Sequence, residues 1–243
     1  MPLCEKHYLV VKDGSPAEHN DDASAADLAS GRFAVSDGAT ESGFSRVWSR
    51  ILVDQFVHHT AGSPDEWSWL TPAQLRWLEE LKGVEIPWYG EEQFQLGAFA
   101  TFLGLVISGT NGNRRWHAAA VGDSCLFHVR NGQLLKAFPL DKAADFTSTP
   151  KLIGSRSRID ETASKRATSL IGTAENDDHL WLMSDALAHW CLAEHEAGQP
   201  PWQELSFFLS ADYPAADFAA WVQDVRTNRG LHNDDVTLLG INV

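Results

Sequence analysis

Aspartate recurs where apolar runs stop. GRFAVSDGAT (31–40) alternates through Phe33 and Val35 like a strand, then ends at Asp37-Gly38. Asn20-Asp21-Asp22 stands just before that run, and Gly122-Asp123 interrupts a later one. LWLMS (180–184) stops at Asp185, and Asn233-Asp234-Asp235 precedes VTLLGINV. Singly, each is accounted for as a turn, because Asp and Asn side chains bond the local backbone and tolerate unusual dihedrals. Together they predict more. If those strand ends meet at one edge of a sandwich, several carboxylates share a small volume and raise one another's pKa. Divalent cations relieve that repulsion, and an all-oxygen donor set suits Mg²⁺ or Mn²⁺ rather than Zn²⁺. No HxxxH or CxxC spacing offers a softer site; the ten histidines are scattered, and His58-His59 reads as helix surface. The phosphate loops GxxxxGK[ST] and GxGxxG and the GxSxG elbow are absent. Cys125 reads as a small core residue rather than a nucleophile.

These carboxylates need elements to position them. LVV (9–11) and FAVS (33–36) read as strands. Phe44, Val47, Trp48, Ile51, Leu52 and Phe56 fall on one helical face. TPAQLRWLEELKG predicts a helix with Thr71 at the N-cap, Pro72 at the first position and Gly83 past the end. AFATFLGLVIS (98–108) reads as a strand followed by a turn at Thr110–Asn113. Residues 116–138 read as hairpin material, with a strand on each side of Gly122-Asp123-Ser124 and a tight turn at Asn131-Gly132. LWLMS is a continuous apolar run, as in a strand buried on both faces. Phe218, Trp221, Val222 and Val225 mark a late helix, and VTLLGINV a closing strand. Strands in hairpins with helices between and after them fit antiparallel sheets covered by helices. Residues 139–179 are polar and carry Lys142, Lys151, Arg156, Arg158, Lys165 and Arg166. They read as a solvated excursion or a flap on the substrate side.

Composition bounds the answer. The chain's 243 residues suffice for one sizeable domain or two small ones, and 44% apolar content supports a packed core, with ten tryptophans. A net charge of -14 argues against a general nucleic-acid or anionic-membrane binder. Three widely spaced cysteines predict no disulfide framework. With neither a signal-peptide pattern nor a run of membrane-spanning length, a cytoplasmic enzyme or regulator is expected.

The ordered series NDD (20–22), AVSDG (34–38), AVGDS (120–124), LMSD (182–185) and NDDVTLL (233–239) resembles the protein phosphatase 2C family of metal-dependent Ser/Thr phosphatases, from about residue 20 to the C-terminus. GAFATFLGLVI (97–107) is similar to a degraded form of the family's strand entry. The resemblance implies an α+β fold: a four-layer α-β-β-α sandwich, two antiparallel sheets flanked by helices. It implies a single domain over 1–243 with a flap-like excursion around 139–179. It also implies a centre of two Mg²⁺ or Mn²⁺ ions, with a third possible. Asp37 would bridge the two, beside the Gly38 carbonyl. Asp185 and Asp234 would complete the shell of the first ion, and Asp22, with Asp21 beside it, would hold the second ion directly or through water. Asp123 would bind the third. Asp235 falls where the family has Asn. The implied reaction is hydrolysis of phosphoserine or phosphothreonine esters in a phosphoprotein by a metal-activated water, without a phosphoenzyme. Three positions depart from the pattern. The usual phosphate-contacting Arg is Ala17, the His that many eukaryotic members carry after Asp-Gly is Ala39, and the second Asp-Gly is Asp185-Ala186. Lys12, His19 or the basic 139–179 segment could substitute for the Arg. The departures keep two other readings open: a catalytically weak regulatory or binding module, and a hydrolase of a small phosphate ester.

Overall fold

Two five-stranded antiparallel sheets stack face to face in the computed structural model, which describes all residues except 1–2, 40–41, 60–61, 87–89, 111–113, 157–164 and 210–212. The first sheet runs β1 (Cys4–Val10), β12 (Val236–Asn242), β11 (His179–Met183), β7 (Cys125–Arg130), β8 (Gln133–Phe138). The second runs β10 (Thr168–Ala174), β6 (Arg114–Val121), β5 (Phe102–Ser108), β3 (Arg32–Asp37), β2 (Asp22–Asp27). A two-stranded ribbon joins β4 (Phe99–Ala100) to β9 (Ile153–Gly154). Helices α1 (Ser45–His58), α2 (Leu70–Glu80) and α3 (Glu91–Leu96) lie on the second sheet's side, and α4 (Asp185–Glu196), α5 (Trp202–Phe207) and α6 (Ala215–Asn228) cover the first. No described helix is long and apolar enough to cross a membrane.

Three apolar layers follow from strand periodicity. Phe33, Val35, Leu103, Leu105, Leu126, Leu180, Leu182, Leu239 and Ile241 fill the space between the sheets. Their strand neighbours face outward: Ala34 and Phe102 meet Trp48, Phe56, Trp69 and Trp77, while Phe127, Trp181 and Leu238 meet Leu187, Trp202 and Phe218. The many tryptophans thus serve chiefly the two sheet–helix layers.

Several elements differ from the sequence expectation. The first strand starts at Cys4 rather than Leu9, because all of Cys4–Val10 pairs with β12. AFATFLGLVIS is two strands, broken at Thr101: Ala100 pairs with Ile153, but Phe102 pairs with Val121. Gly122-Asp123-Ser124 is no hairpin turn. It carries the chain from β6 in one sheet to β7 in the other, whereas Asn131-Gly132, both at positive φ, does close the β7–β8 hairpin. Helix α2 begins at Leu70, not after Thr71, because a 3₁₀ turn at Trp67–Trp69 runs straight into it and buries Trp69 and Leu70 completely. It stops short of Gly83, which has φ +81°. Residues 139–179 are not one loop, since Thr168–Ala174 is an edge strand paired with β6, turning Leu170 and Ala174 toward the core. The turn expected at Thr110–Asn113 falls mostly outside the described residues.

Candidate metal centre

The alternation that builds the inter-sheet core also aims the carboxylates. On β3, Phe33 and Val35 face between the sheets, so Asp37 does too, at the rim. Asp22 is its direct partner on β2. Across the gap, Leu180-Leu182-Ser184 and Thr237-Leu239-Ile241 put two hydroxyls on the same face, tied by Thr237 N–H donating to Ser184 Oγ at 2.9 Å. Asp185 follows Ser184 at the start of α4, and its Oδ1 accepts from the Ala186 amide at 2.6 Å. Asp123 sits on the inter-sheet crossing. Gly122 reaches φ +106° there, and a Cβ on it would lie 2.7 Å from the Thr101 side chain.

These groups are costly as placed. Both oxygens of Asp22 and one of Asp123 are buried without a hydrogen-bond partner among the described residues. Burial pushes the Asp22 carboxyl up to about 8, with Asp185 and Asp235 adding to the rise and the facing Ser184 and Thr237 hydroxyls only opposing it. Burial, then Asp22, Asp185, Asp123 and Asp234, holds Asp37 well above the carboxylate range. Asp123 is pushed to about 7 by burial and by Asp185, and Asp185 is raised by burial and by Asp234. Asp22, Asp37, Asp123, Asp185 and Asp234 are therefore one electrostatic cluster. Its members edge two cavities. One, of about 300 Å³, is lined by Asp123, Asp185 and Asp234 with His189 and His232. The other, of about 430 Å³, is lined by Asp37, Gly38 and Asp234 beneath Ser148, Thr149 and Pro150. Among the described residues no three His, Cys, Asp or Glu side chains already stand in a metal-holding group. The donor chemistry nonetheless fits hard divalent cations through its buried, orphaned carboxylate oxygens, with the imidazoles of His189 and His232 lining one side of the Asp123 cavity.

The Gly38 carbonyl is set apart by a missing ladder bond. Gly38 N–H donates to the Asp21 carbonyl at 3.1 Å, but the Asp21 amide, which would return the bond, donates instead to Asp235 Oδ2 at 2.7 Å. The glycine itself is required by close approach. A Cβ would lie 2.8 Å from the Asp21 carbonyl oxygen and 3.0 Å from Ser45, so its bareness serves packing against α1.

Asp21 stands apart from the cluster, whereas Asp235 borders it, adding its charge to the rise of Asp22 and lining the cavity beside Asp37 and Asp234. The Asp21 carboxylate turns to α1, accepting from Ser45 Oγ at 3.1 Å. Asp235 is buried and engaged by backbone, its Oδ1 accepting from the Lys12 amide at 2.8 Å and its Oδ2 from that of Asp21. Cys125 is fully buried, and burial pushes its thiol up, which suits a core residue. Sequence reasoning misses Thr101, whose Oγ1 accepts from the Asp37 amide at 3.0 Å and whose amide returns a bond to the Asp37 carbonyl at 2.8 Å. It also misses Arg226, which holds the Asp234 carbonyl at 2.5 Å and that of Val11 at 3.1 Å. Ser184 and Thr237 carry a usable signal, since extending the period-2 face of their strands reaches both.

A helix-flanked double sandwich with acidic strand ends gathered at one rim defines a narrow class of protein. The protein phosphatase 2C family model matches residues 13–223, and the chain belongs to that family. Among solved structures it is similar to the Mycobacterium tuberculosis serine/threonine phosphatase PstP/Ppp, with TM-score 0.64 and 16% identity over 100% of this chain and 99% of that one. The PstP catalytic domain in complex with two manganese ions aligns with TM-score 0.61 and 17% identity over 99% and 98% of the two chains. PppA, a regulatory component of T6SS in Pseudomonas aeruginosa, aligns with TM-score 0.63 and 18% identity over 100% and 98%. At these identities the likeness establishes the shared fold. No curated protein is matched by sequence.

Proposed function

We propose that this protein is a Mg²⁺- or Mn²⁺-dependent hydrolase of phosphoserine and phosphothreonine esters. The coupled carboxylate cluster, in which both oxygens of Asp22 and one of Asp123 are buried without a partner among the described residues, carries the reading, together with the chain's family. Asp37 would bridge two cations, joined by the Gly38 carbonyl, Asp22, Asp185 and Asp234, with Asp123 at a third position and Asp21 and Asp235 in support. When bound, the cations supply a water of lowered pKa and neutralise charge at the phosphoryl group. The protein's own part is positional. Thr101 fixes the Asp37 backbone, the Ser184 and Thr237 hydroxyls face Asp22, and residues 148–150 overlie the Asp37 side of the rim. Ala39 offers no proton to the leaving alkoxide, so protonation would fall to water or another residue. Phosphoproteins are the proposed substrates, and three free cysteines fit a reducing, cytoplasmic setting.

Ala17 and Ala39 motivate a second reading, a phosphate-sensing module with little turnover, and a small phosphate ester is the third substrate class. One experiment separates them. Wild type with Mn²⁺ is expected to hydrolyse a phosphothreonine peptide faster than a panel of phosphometabolites, with loss of at least about 100-fold in Asp37→Asn. Turnover that persists in chelator, or an Asp37→Asn enzyme of wild-type rate, would reject the proposal. Tight peptide binding without turnover would favour the sensing module.

A further inference from the structure

An acidic rim in a chain of net charge -14 repels a phosphate dianion everywhere except where cations are set beside it. The structure has such a place. A cleft of about 380 Å³ borders the carboxylate cluster at Lys12, whose ammonium neighbours Asp234, and lies between the 12–19 loop and the first turn of α1. Its charged lining is Lys12, Arg46 and His19 against the one carboxylate of Asp21, with the Ser15 hydroxyl beside them and the Ser45 hydroxyl already donating to Asp21.

Each cation is placed for an incoming anion. Lys12 is fixed through its amide, which donates to Asp235 Oδ1, and its Nζ stands 3.7 Å from Asp234 Oδ1. The ammonium thus lies on the border between the cleft and the cluster. Arg46 is exposed and makes no ion pair with any described residue. Its neighbours on the same side are engaged: Arg50 binds Glu80 at 2.6 Å, and Arg76 binds both Glu80 and Asp54. A guanidinium left open next to those pairs is free to meet a phosphate with two parallel N–H donors. Asp21 is braced as the floor, its carbonyl accepting from Ser49 Oγ at 2.6 Å.

We propose that Lys12 and Arg46 seat the phosphoryl group of the substrate, with His19 beside them, from the loop that carries the uncharged Ala17 and from the first turn of α1. This rests on the proposed hydrolase reading, and the test separates the two. Wild type, Lys12→Met, Arg46→Ala and a control, Arg115→Ala, exposed on β6, are compared with Mn²⁺ on a phosphothreonine peptide, with inorganic phosphate as inhibitor. Lys12→Met and Arg46→Ala are each expected to raise KM and the phosphate inhibition constant about tenfold with kcat within about threefold, while Arg115→Ala leaves all three unchanged. Wild-type KM and phosphate inhibition in both cleft variants would overturn the assignment while leaving the hydrolase reading intact. If wild type does not turn over, the hydrolase reading fails and calorimetry with the phosphorylated and unphosphorylated peptides reads the cleft alone. Phosphate-dependent binding that is lost in Arg46→Ala supports the cleft; absent or unaltered binding overturns it.

Discussion

Asp22 shows what one residue contributes and costs. Its carboxylate is buried with neither oxygen in a hydrogen bond among the described residues, and burial lifts it to about 8 against the facing Ser184 and Thr237 hydroxyls. A group raised in this way stabilises the fold below its unfolded pKa of about 3.9, and that stability is lost as pH rises toward the folded value. At pH 8 without metal, Asp22 is therefore a liability. Asp22→Asn keeps the shape and removes the charge, so in EDTA at pH 8 it is expected to be more stable by about 1–2 kcal/mol, a rise in melting temperature of roughly 2–8 °C. The same variant should lose most of the Mn²⁺-induced rise expected of wild type. Paired melts with EDTA and Mn²⁺ check both halves, and a variant less stable in EDTA would show that Asp22 is structurally required rather than kept for an ion. The Asp-ended runs are legible in the sequence at this scale. The inward aim of Asp37 is legible as well, because Phe33 and Val35 set the face. That both oxygens of Asp22 go unbonded is not legible, since it depends on which hydroxyls arrive from β11 and β12.

Among elements, the decisive facts are non-local. Local pattern finds a strand on each side of Gly122-Asp123, but nothing in it says that β6 and β7 belong to different sheets, and that crossing is what brings Asp123 to the rim. The family resemblance supplies the sandwich where periodicity alone leaves only antiparallel sheets with helices. Asp235 belongs to the same scale. Its two oxygens tie the exit of β1 and the entry of β2 to the start of β12. Asp235→Ala leaves two half-buried amides without their acceptor and is expected to cost about 1–3 kcal/mol, whereas Asp235→Asn, keeping one acceptor, should cost about half as much. Urea unfolding of the three proteins measures this. Equal stability of Asp235→Ala and wild type would mean that solvent replaces the clip. The freed Asp21 amide would then be able to rejoin the Gly38 carbonyl.

The whole molecule sets two opposed charge systems at the ends of one strand. Asp185 follows β11 closely at the acidic rim, and Asp178 immediately precedes it at the far end. Asp178 is fully buried, yet it accepts from Arg130 Nε at 2.7 Å, Arg130 Nη2 at 2.8 Å and the Glu175 amide at 2.9 Å, and pairs with His128 Nε2 at 2.7 Å. Burial opposes its charge, but these partners prevail and hold it at about 2. Its carbonyl also takes the Val243 amide at 3.0 Å, which closes the end of the chain. A depressed carboxyl stabilises above its unfolded pKa of about 3.9, and the contribution is lost as pH falls toward 2. The rim has the opposite sign, with Asp22 near 8 and Asp123 near 7 giving stability that is lost as pH rises from about 4 to 8. In EDTA the melting temperature should therefore peak near about pH 4–5 and fall on both sides. Mn²⁺, if it binds the folded state as proposed, should flatten the alkaline limb only. Asp178→Asn should lower stability at neutral pH by about 3–5 kcal/mol, weaken the acid limb, and leave the Mn²⁺ response unchanged. Circular dichroism melts from pH 3 to 9 test the set. An EDTA profile that climbs steadily from pH 5 to 8 would mean that the rim carboxylates are satisfied without a cation, and the case for a metal centre would lose its physical basis.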